Sequence, residues 1–381
     1  MPFISVSCPS GEHEFFYSIS TPKSASTSAI EKGIPTILFI HSSYAAQEVF
    51  EHQFADPQLR RFNLVVVDNL GNGATRGFIG DQLYTPYESA LDWKCVMDAL
   101  DLPPVHIFGL SLGGTVGLHL AIGHPDRVLS VTVCSPATPV ETEDVIAGRQ
   151  QVFNYWMQVF GNMTDDDESK KQQQELIDDT LSGVMELAYN NTKTRLTYAL
   201  GLCGMVRAID IWSGSREKLQ QSLDSTVLWF ANRRAITPEA LARIQCPVNI
   251  IHCMDDVGYP AENAEDIAKE MASVGVAVKL YRVPGPHYAV ATHPEPINNI
   301  LKNFVLRASG LKGDSLPTPE PEIDDDKMRT PWTELLARLG YDPENDADSD
   351  SSDDLPTFDS WFDIPPIVPE SRTWSKTKSA Q

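Results

Sequence analysis

Six short runs of Val, Ile, Leu and Phe with almost no polar alternation punctuate this chain, at residues 36–41, 63–68, 105–110, 129–134, 248–253 and 278–283. A strand with no polar side cannot turn a face to water, so such runs belong in a sheet covered on both faces, which is the situation of parallel strands flanked by helices. Helical patterns lie between them: residues 87–100 carry Leu91, Val96 and Leu100 at helical spacing, 112–123 is rich in Gly, Ala and Leu, and 262–273 and 296–307 read as amphipathic. Strand alternating with helix predicts an α/β fold with a mostly parallel sheet. The alternation stops between 138 and 242, where only helix-like segments occur, near 143–160, 168–189, 194–211 and 215–231, and it resumes afterwards. The pattern predicts a core in two parts, 1–137 and 243–309, with a helical cap inserted over 138–242.

Beyond residue 309 the chemistry of the chain changes. Residues 310–381 hold 17 acidic and 7 basic side chains and 9 of the 27 prolines, so this stretch supplies −10 of the formal net charge of −22. Like charges and Pro without apolar residues cannot support a core, and the expectation is a largely disordered acidic tail. Two islands differ. Residues 331–339, Pro-Trp-Thr-Glu-Leu-Leu-Ala-Arg-Leu, read as a short helix with Thr330 at its N-cap and Pro331 in its first turn, and Phe358-Asp-Ser-Trp361-Phe362-Asp-Ile364 could bury aromatic anchors on a protein partner.

The acidic balance, with no basic block anywhere, disfavours nucleic acid and anionic membrane surfaces as partners. The start, M-P-F-I-S-V-S-C-P, lacks the basic and apolar regions of a secretory signal, no apolar run reaches membrane-spanning length, and six scattered cysteines form no C-x-x-C pair. These features predict a cytoplasmic protein with reduced thiols, no membrane span and no metal site.

The chemistry centres on Gly109-Leu110-Ser111-Leu112-Gly113, between the run 105–110 and the helical stretch that follows. A nucleophile on a sharp strand-to-helix turn needs small neighbours, and the following helix presents free N–H groups that favour a developing negative charge. A serine hydroxyl also needs a base, and the base an orienting carboxylate. At this point the chain resembles the α/β-hydrolase superfamily over residues 30–137 and 243–306. Four motifs carry the resemblance, in the expected order: His41-Ser-Ser, Asp68-Asn-Leu-Gly-Asn-Gly-Ala-Thr, the Ser111 elbow with His124-Pro-Asp-Arg-Val downstream, and a late Asp and His. The elbow sequence is most similar to the esterase and enol-lactonase branch.

The resemblance implies a catalytic Ser111, with the acid in His252-Cys-Met-Asp255-Asp256-Val-Gly-Tyr-Pro260 and the base in Val283-Pro-Gly-Pro-His287. Counting from Cys253, which stands where the family shows Gly, selects Asp256; Asp255 remains the alternative. His41 corresponds to the histidine that orders the oxyanion loop, and the backbone amides of Ser43 and Leu112 would form the oxyanion hole. Ser42 replaces the usual glycine. Gly71-Asn-Gly73 superficially suggests a dinucleotide turn, but Arg76 occupies the place of the third glycine, so no nucleotide cofactor is expected. The implied activity is hydrolysis of a carboxylic ester, lactone or related acyl substrate. The alternatives on the same scaffold are carbon–carbon bond hydrolysis, lyase or acyl-transfer chemistry, and a non-catalytic ligand receptor. Phe153, Tyr155, Trp156 and Phe160 are expected to roof Ser111 with an apolar cap, which implies an apolar or aromatic substrate.

Overall fold

The protein is described here by a computed structural model covering residues 2–80, 82–161, 167–320 and 328–344, with side chains omitted for 167–170. Nine strands form one sheet: β1 (Phe3–Cys8), β2 (Gly11–Thr21), β3 (Ser24–Thr27), β4 (Thr36–Ile40), β5 (Asn63–Val67), β6 (Val105–Leu110), β7 (Val128–Cys134), β8 (Val248–Cys253) and β9 (Val278–Val283). The order is β1-β2-β5-β4-β6-β7-β8-β9, with β3 on β2; β4 to β9 are mutually parallel and β1 to β3 antiparallel. The six apolar runs are β4 to β9. In β4 the side chains alternate between two buried layers: Ile37 and Phe39 join the cluster on one face with Phe50, Phe54 and Phe108, and Leu38 and Ile40 join the other with Val96, Val116 and Ile250. At the sheet edge β9 departs from the expectation, with Lys279 and Arg282 exposed and only Val283 buried.

The N-terminal strands went unpredicted because they carry no continuous apolar run. In β2, Glu12, His13 and Glu14 precede Phe15-Phe16-Tyr17, and this antiparallel strand borders β5 with serines among its buried residues.

The inserted segment is helical as expected: Glu143–Phe160, Asp167–Tyr189, Arg195–Trp212 and Arg216–Leu223, the last running through a wide turn at Asp224–Leu228 into Trp229–Ala231. Thr142, Thr194 and Ser215 start three of these helices, each side chain accepting an amide three residues on, worth about 1 kcal/mol apiece. The cap sits on the loops at the strand ends. Trp212 Nε1 donates to the Gly71 carbonyl at 3.0 Å, the Ile79 amide donates to Gln221 at 3.0 Å, and Arg207 pairs with Glu48 and lies 3.6 Å from Asp68.

The expected end of the packed domain at 309 is corrected. Among the described residues, parts of 311–320 and 328–341 pack on the core. Arg61 donates to the carbonyls of Leu316 at 2.8 Å and Pro317 at 3.1 Å, Arg60 donates to that of Arg329 at 2.6 Å, and Trp332, wholly buried, meets Phe54 at 4.8 Å. Trp332 and Leu339, which bound the short helix Thr333–Arg338, and Leu336 within it are spaced by four and three residues, and all three are buried. That narrow stripe is diluted in the composition by surrounding acids and prolines. The predicted N-cap is corrected: the helix starts at Thr333 with Trp332 in the N-cap position, and Thr330 Oγ1 sits ahead of it, accepting the Trp332 amide at 3.1 Å and donating to Glu51 at 2.6 Å. The segment 358–364 lies outside the described residues.

Candidate active site

All the singled-out residues follow the C-terminal ends of parallel strands, the edge where an open α/β sheet places its ligands. Ser111 ends β6 with φ 52° and ψ −113°, in the left-handed half of backbone space that L-residues avoid. Its amide donates to the Cys134 carbonyl at 2.8 Å, and its own carbonyl accepts the Gly114 amide at 2.9 Å. The flanking glycines are sterically required. A Cβ on Gly109 would lie 2.3 Å from the Gly113 oxygen, and one on Gly113 would lie 2.0 Å from the Ile40 oxygen. The turn therefore stacks β6, its helix (Leu112–Gly123) and β4 at backbone contact, leaving Ser111 only 4% exposed.

The choice between adjacent aspartates separates cleanly in space. Asp256 Oδ2 meets His287 Nδ1 at 2.6 Å, while its Oδ1 accepts the amides of Gly258 at 2.9 Å and Tyr259 at 3.0 Å. Asp255 faces the other way and ties the two loops together, accepting the Gly285 amide at 2.8 Å and donating its own amide to the Gly285 carbonyl at 3.0 Å. With Nδ1 committed to Asp256, Nε2 is the imidazole nitrogen left to take a proton.

Ser135, which the sequence reading did not single out, connects serine and histidine. Its hydroxyl donates to the His287 carbonyl at 2.6 Å, and the preceding residue, Cys134, accepts the Ser111 amide. Ser111 and His287 are thus hung from consecutive residues at the end of β7. Its signal was available in Cys134-Ser-Pro, a polar residue closing a buried strand.

His41 ties the loop after β4 to the loop after β5. Burial pushes its imidazole down to about 4; Nδ1–H donates to the Ser42 carbonyl at 2.7 Å, and Nε2 accepts the Asn69 amide at 2.9 Å. The ring is neutral although Asp68 lies 3.6 Å away, because an Nε2 that accepts an amide has no proton to share. Ser43 is buried, its carbonyl accepting the Tyr288 hydroxyl at 2.7 Å. Leu112 opens its helix, so its amide has no intrahelical acceptor.

The aromatic roof is only partly as expected. Tyr155 is half exposed, and Trp156 and Phe160 stack on each other at 4.4 Å inside the cap, with Trp156 Nε1 donating to the Trp212 carbonyl. Phe153 and Trp156 do line a cavity between cap and core, with Tyr44, Met205 and Trp212. Tyr44 follows Ser43 directly, so this apolar space adjoins the loop after β4; neither Ser111 nor His287 lines it. Among the described residues no group of three or more His, Cys, Asp or Glu side chains is arranged to hold a metal ion, and no helix is long and apolar enough to cross a membrane.

Comparison with known proteins agrees with this architecture. A family model described as alpha/beta hydrolase fold matches residues 35–177. A relative from Caulobacter segnis, whose name refers to carbamate hydrolysis, is 36% identical over 84 residues, covering 21% of this chain and 32% of its own length. The 3-oxoadipate enol-lactonase 1 of Acinetobacter baylyi is 30% identical over 110 residues, 29% of this chain and 40% of that protein. The chain therefore spans about a third of the length of the curated relatives it matches. Among solved structures, a thermophilic esterase from Thermogutta terrifontis superimposes with a TM-score of 0.61 at 14% identity, over 81% of this chain and 99% of that one. Taken with the parallel sheet and the serine on its strained elbow, these likenesses show that the chain has an α/β-hydrolase fold.

Proposed function

We propose that the protein is a serine hydrolase acting on a carboxylic ester, lactone or related acyl substrate. The observation that carries this reading is the 2.6 Å hydrogen bond between His287 and Asp256, formed across 31 residues of sequence at the edge of the sheet whose strand ends also carry Ser111. In this reading Ser111 Oγ attacks the substrate carbonyl and His287 Nε2 takes its proton, while Asp256 holds the ring and stabilises the imidazolium. The tetrahedral oxyanion is met by the amides of Leu112 and Ser43. His287 then gives the proton to the leaving group, an acyl-enzyme remains, and a water activated by the same imidazole hydrolyses it. Relatives named for carbamate hydrolysis and for an enol-lactonase support carbonyl chemistry of this class. The cavity lined by Phe153, Trp156, Met205 and Trp212 supports an apolar or aromatic acyl group.

The test is turnover of a panel of short aryl esters, medium-chain esters, lactones and dicarboxylate esters by Ser111→Ala, with Cys8→Ala as the control. Ser111→Ala is expected to lose at least about a thousandfold in kcat, with the aryl and medium-chain esters the best substrates of the control. Equal activity in the two variants would overturn the reading.

A further inference from the structure

Glu141 and Arg233 stand where the chain enters and leaves the cap, one just before the helix Glu143–Phe160 and the other just after Trp229–Ala231. Their side chains are each 1% exposed and form an ion pair at 3.2 Å. Thr138 completes the pair, accepting from Arg233 at 3.1 Å and donating to Glu141 Oε1 at 3.1 Å. The remaining contact leads out of the hinge: the Tyr259 hydroxyl donates to Glu141 Oε2 at 3.0 Å. Tyr259 belongs to the acid loop, its amide bound to Asp256, and its ring lies 5.3 Å from the His287 ring at an interplanar angle of 37°. An unbroken series of direct contacts therefore runs from the two ends of the cap to the imidazole.

Asp256 fixes His287 at one nitrogen, and swing of the ring about that bond is limited by the two aromatic rings beside it, Tyr259 at 5.3 Å and Tyr288, the residue after His287, at 5.5 Å. A neighbouring aromatic face restricts that swing only if it is itself held. Here the hydroxyl of Tyr259 is anchored to a carboxylate that is buried and paired. We propose that Tyr259 is a positioning residue for His287, set by the Glu141–Arg233 pair, so that the imidazole is aligned when the two ends of the cap hinge are drawn together. This rests on the reading of Ser111, His287 and Asp256 as the catalytic residues, and its test is built to fail separately from that reading.

Tyr259→Phe keeps the ring and removes only the anchor. Misplacement of a reacting group by a fraction of an ångström is costly, and kcat for an aryl ester is expected to fall about tenfold with KM within about twofold. Glu141→Gln is expected to act through the same link, so the double variant should be no slower than the slower single one. An independent readout is deuterium exchange at the imidazole C2–H of His287, measured by mass spectrometry on the full chain, with buried His106 as internal control. It should quicken at least about threefold in Tyr259→Phe while His106 stays unchanged. A Tyr259→Phe protein with wild-type kcat overturns the proposal, as does unchanged His287 exchange. If the wild type shows no Ser111-dependent turnover, the hydrolase reading fails, and faster or unchanged exchange at His287 still decides whether Tyr259 holds the ring.

Discussion

Every side chain of β4 and β5 is buried, and nearly all are apolar, whereas the cap meets the loops above that sheet through buried polar and charged groups as well as through the apolar residues it shares with the core. Arg207 reaches from the helix Arg195–Trp212 to Glu48 and Asp68, and Trp212 and Gln221 spend their polar groups on Gly71 and Ile79. Burial pushes the carboxyls of Glu48 and Asp68 up against the opposing pull of Arg207. The two regions fail differently. Apolar strands lose stability in proportion to what is removed, but a buried ion cluster that loses its only cation leaves unpaired carboxylates. The sheet is built to persist, and the cap is built to sit in one place.

The sharpest way to break this contrast is Arg207→Met. It is expected to cost about 3–5 kcal/mol in urea unfolding and to expose the cap to limited proteolysis before the sheet; a variant as stable as wild type would mean that the cap is held by its apolar contacts instead. Trp332→Ala probes apolar anchoring by the C-terminal extension, and about 3–4 kcal/mol is expected from loss of its packing on Phe54. A thermal midpoint equal to wild type would detach that extension from the folded unit.

Between these extremes lies Glu51, whose carboxyl is pushed up to about 7 by burial under Thr330. Its folded value lies above its unfolded one, so the folded state binds the extra proton, and stability is lost as pH rises from about 4.5 to 7. Glu51→Gln cannot titrate. Its stability relative to wild type is expected to climb by about 3 kcal/mol across that window, and parallel stability curves would contradict the assignment. Smallest of all should be Lys269→Ala, which removes exposed pairs with Glu265 and Asp266; less than about 0.5 kcal/mol is expected in the same unfolding assay, and a larger loss would show that surface charge matters here as much as buried charge.

What could be read from the sequence follows the same division. Parallel strands announce themselves because burial on two faces demands unbroken apolar runs, and the elbow announces itself because only glycine fits at 109 and 113. Both are local constraints. The choice of Asp256 over Asp255 comes from the count from Cys253 that the resemblance supplies; the two adjacent residues alone leave both open, because pairing with His287 depends on which way each carboxylate leaves a turn. Ser135, Glu141, Arg233 and Tyr259 escaped notice because each acts through a partner distant in sequence, 118 residues apart for Glu141 and Tyr259. Trp332 was read as part of a lone helix because its partner Phe54 lies at the other end of the chain.

The central claim is that Ser111 is a nucleophile activated by His287. Treating the full-length protein with a fluorophosphonate, digesting it and locating the adduct by mass spectrometry tests this directly. The account predicts a single adduct on the peptide containing Ser111, absent in Ser111→Ala and slowed at least about a hundredfold in His287→Ala. An adduct on another residue, or labelling of Ser111 that proceeds equally fast without the imidazole, would contradict it.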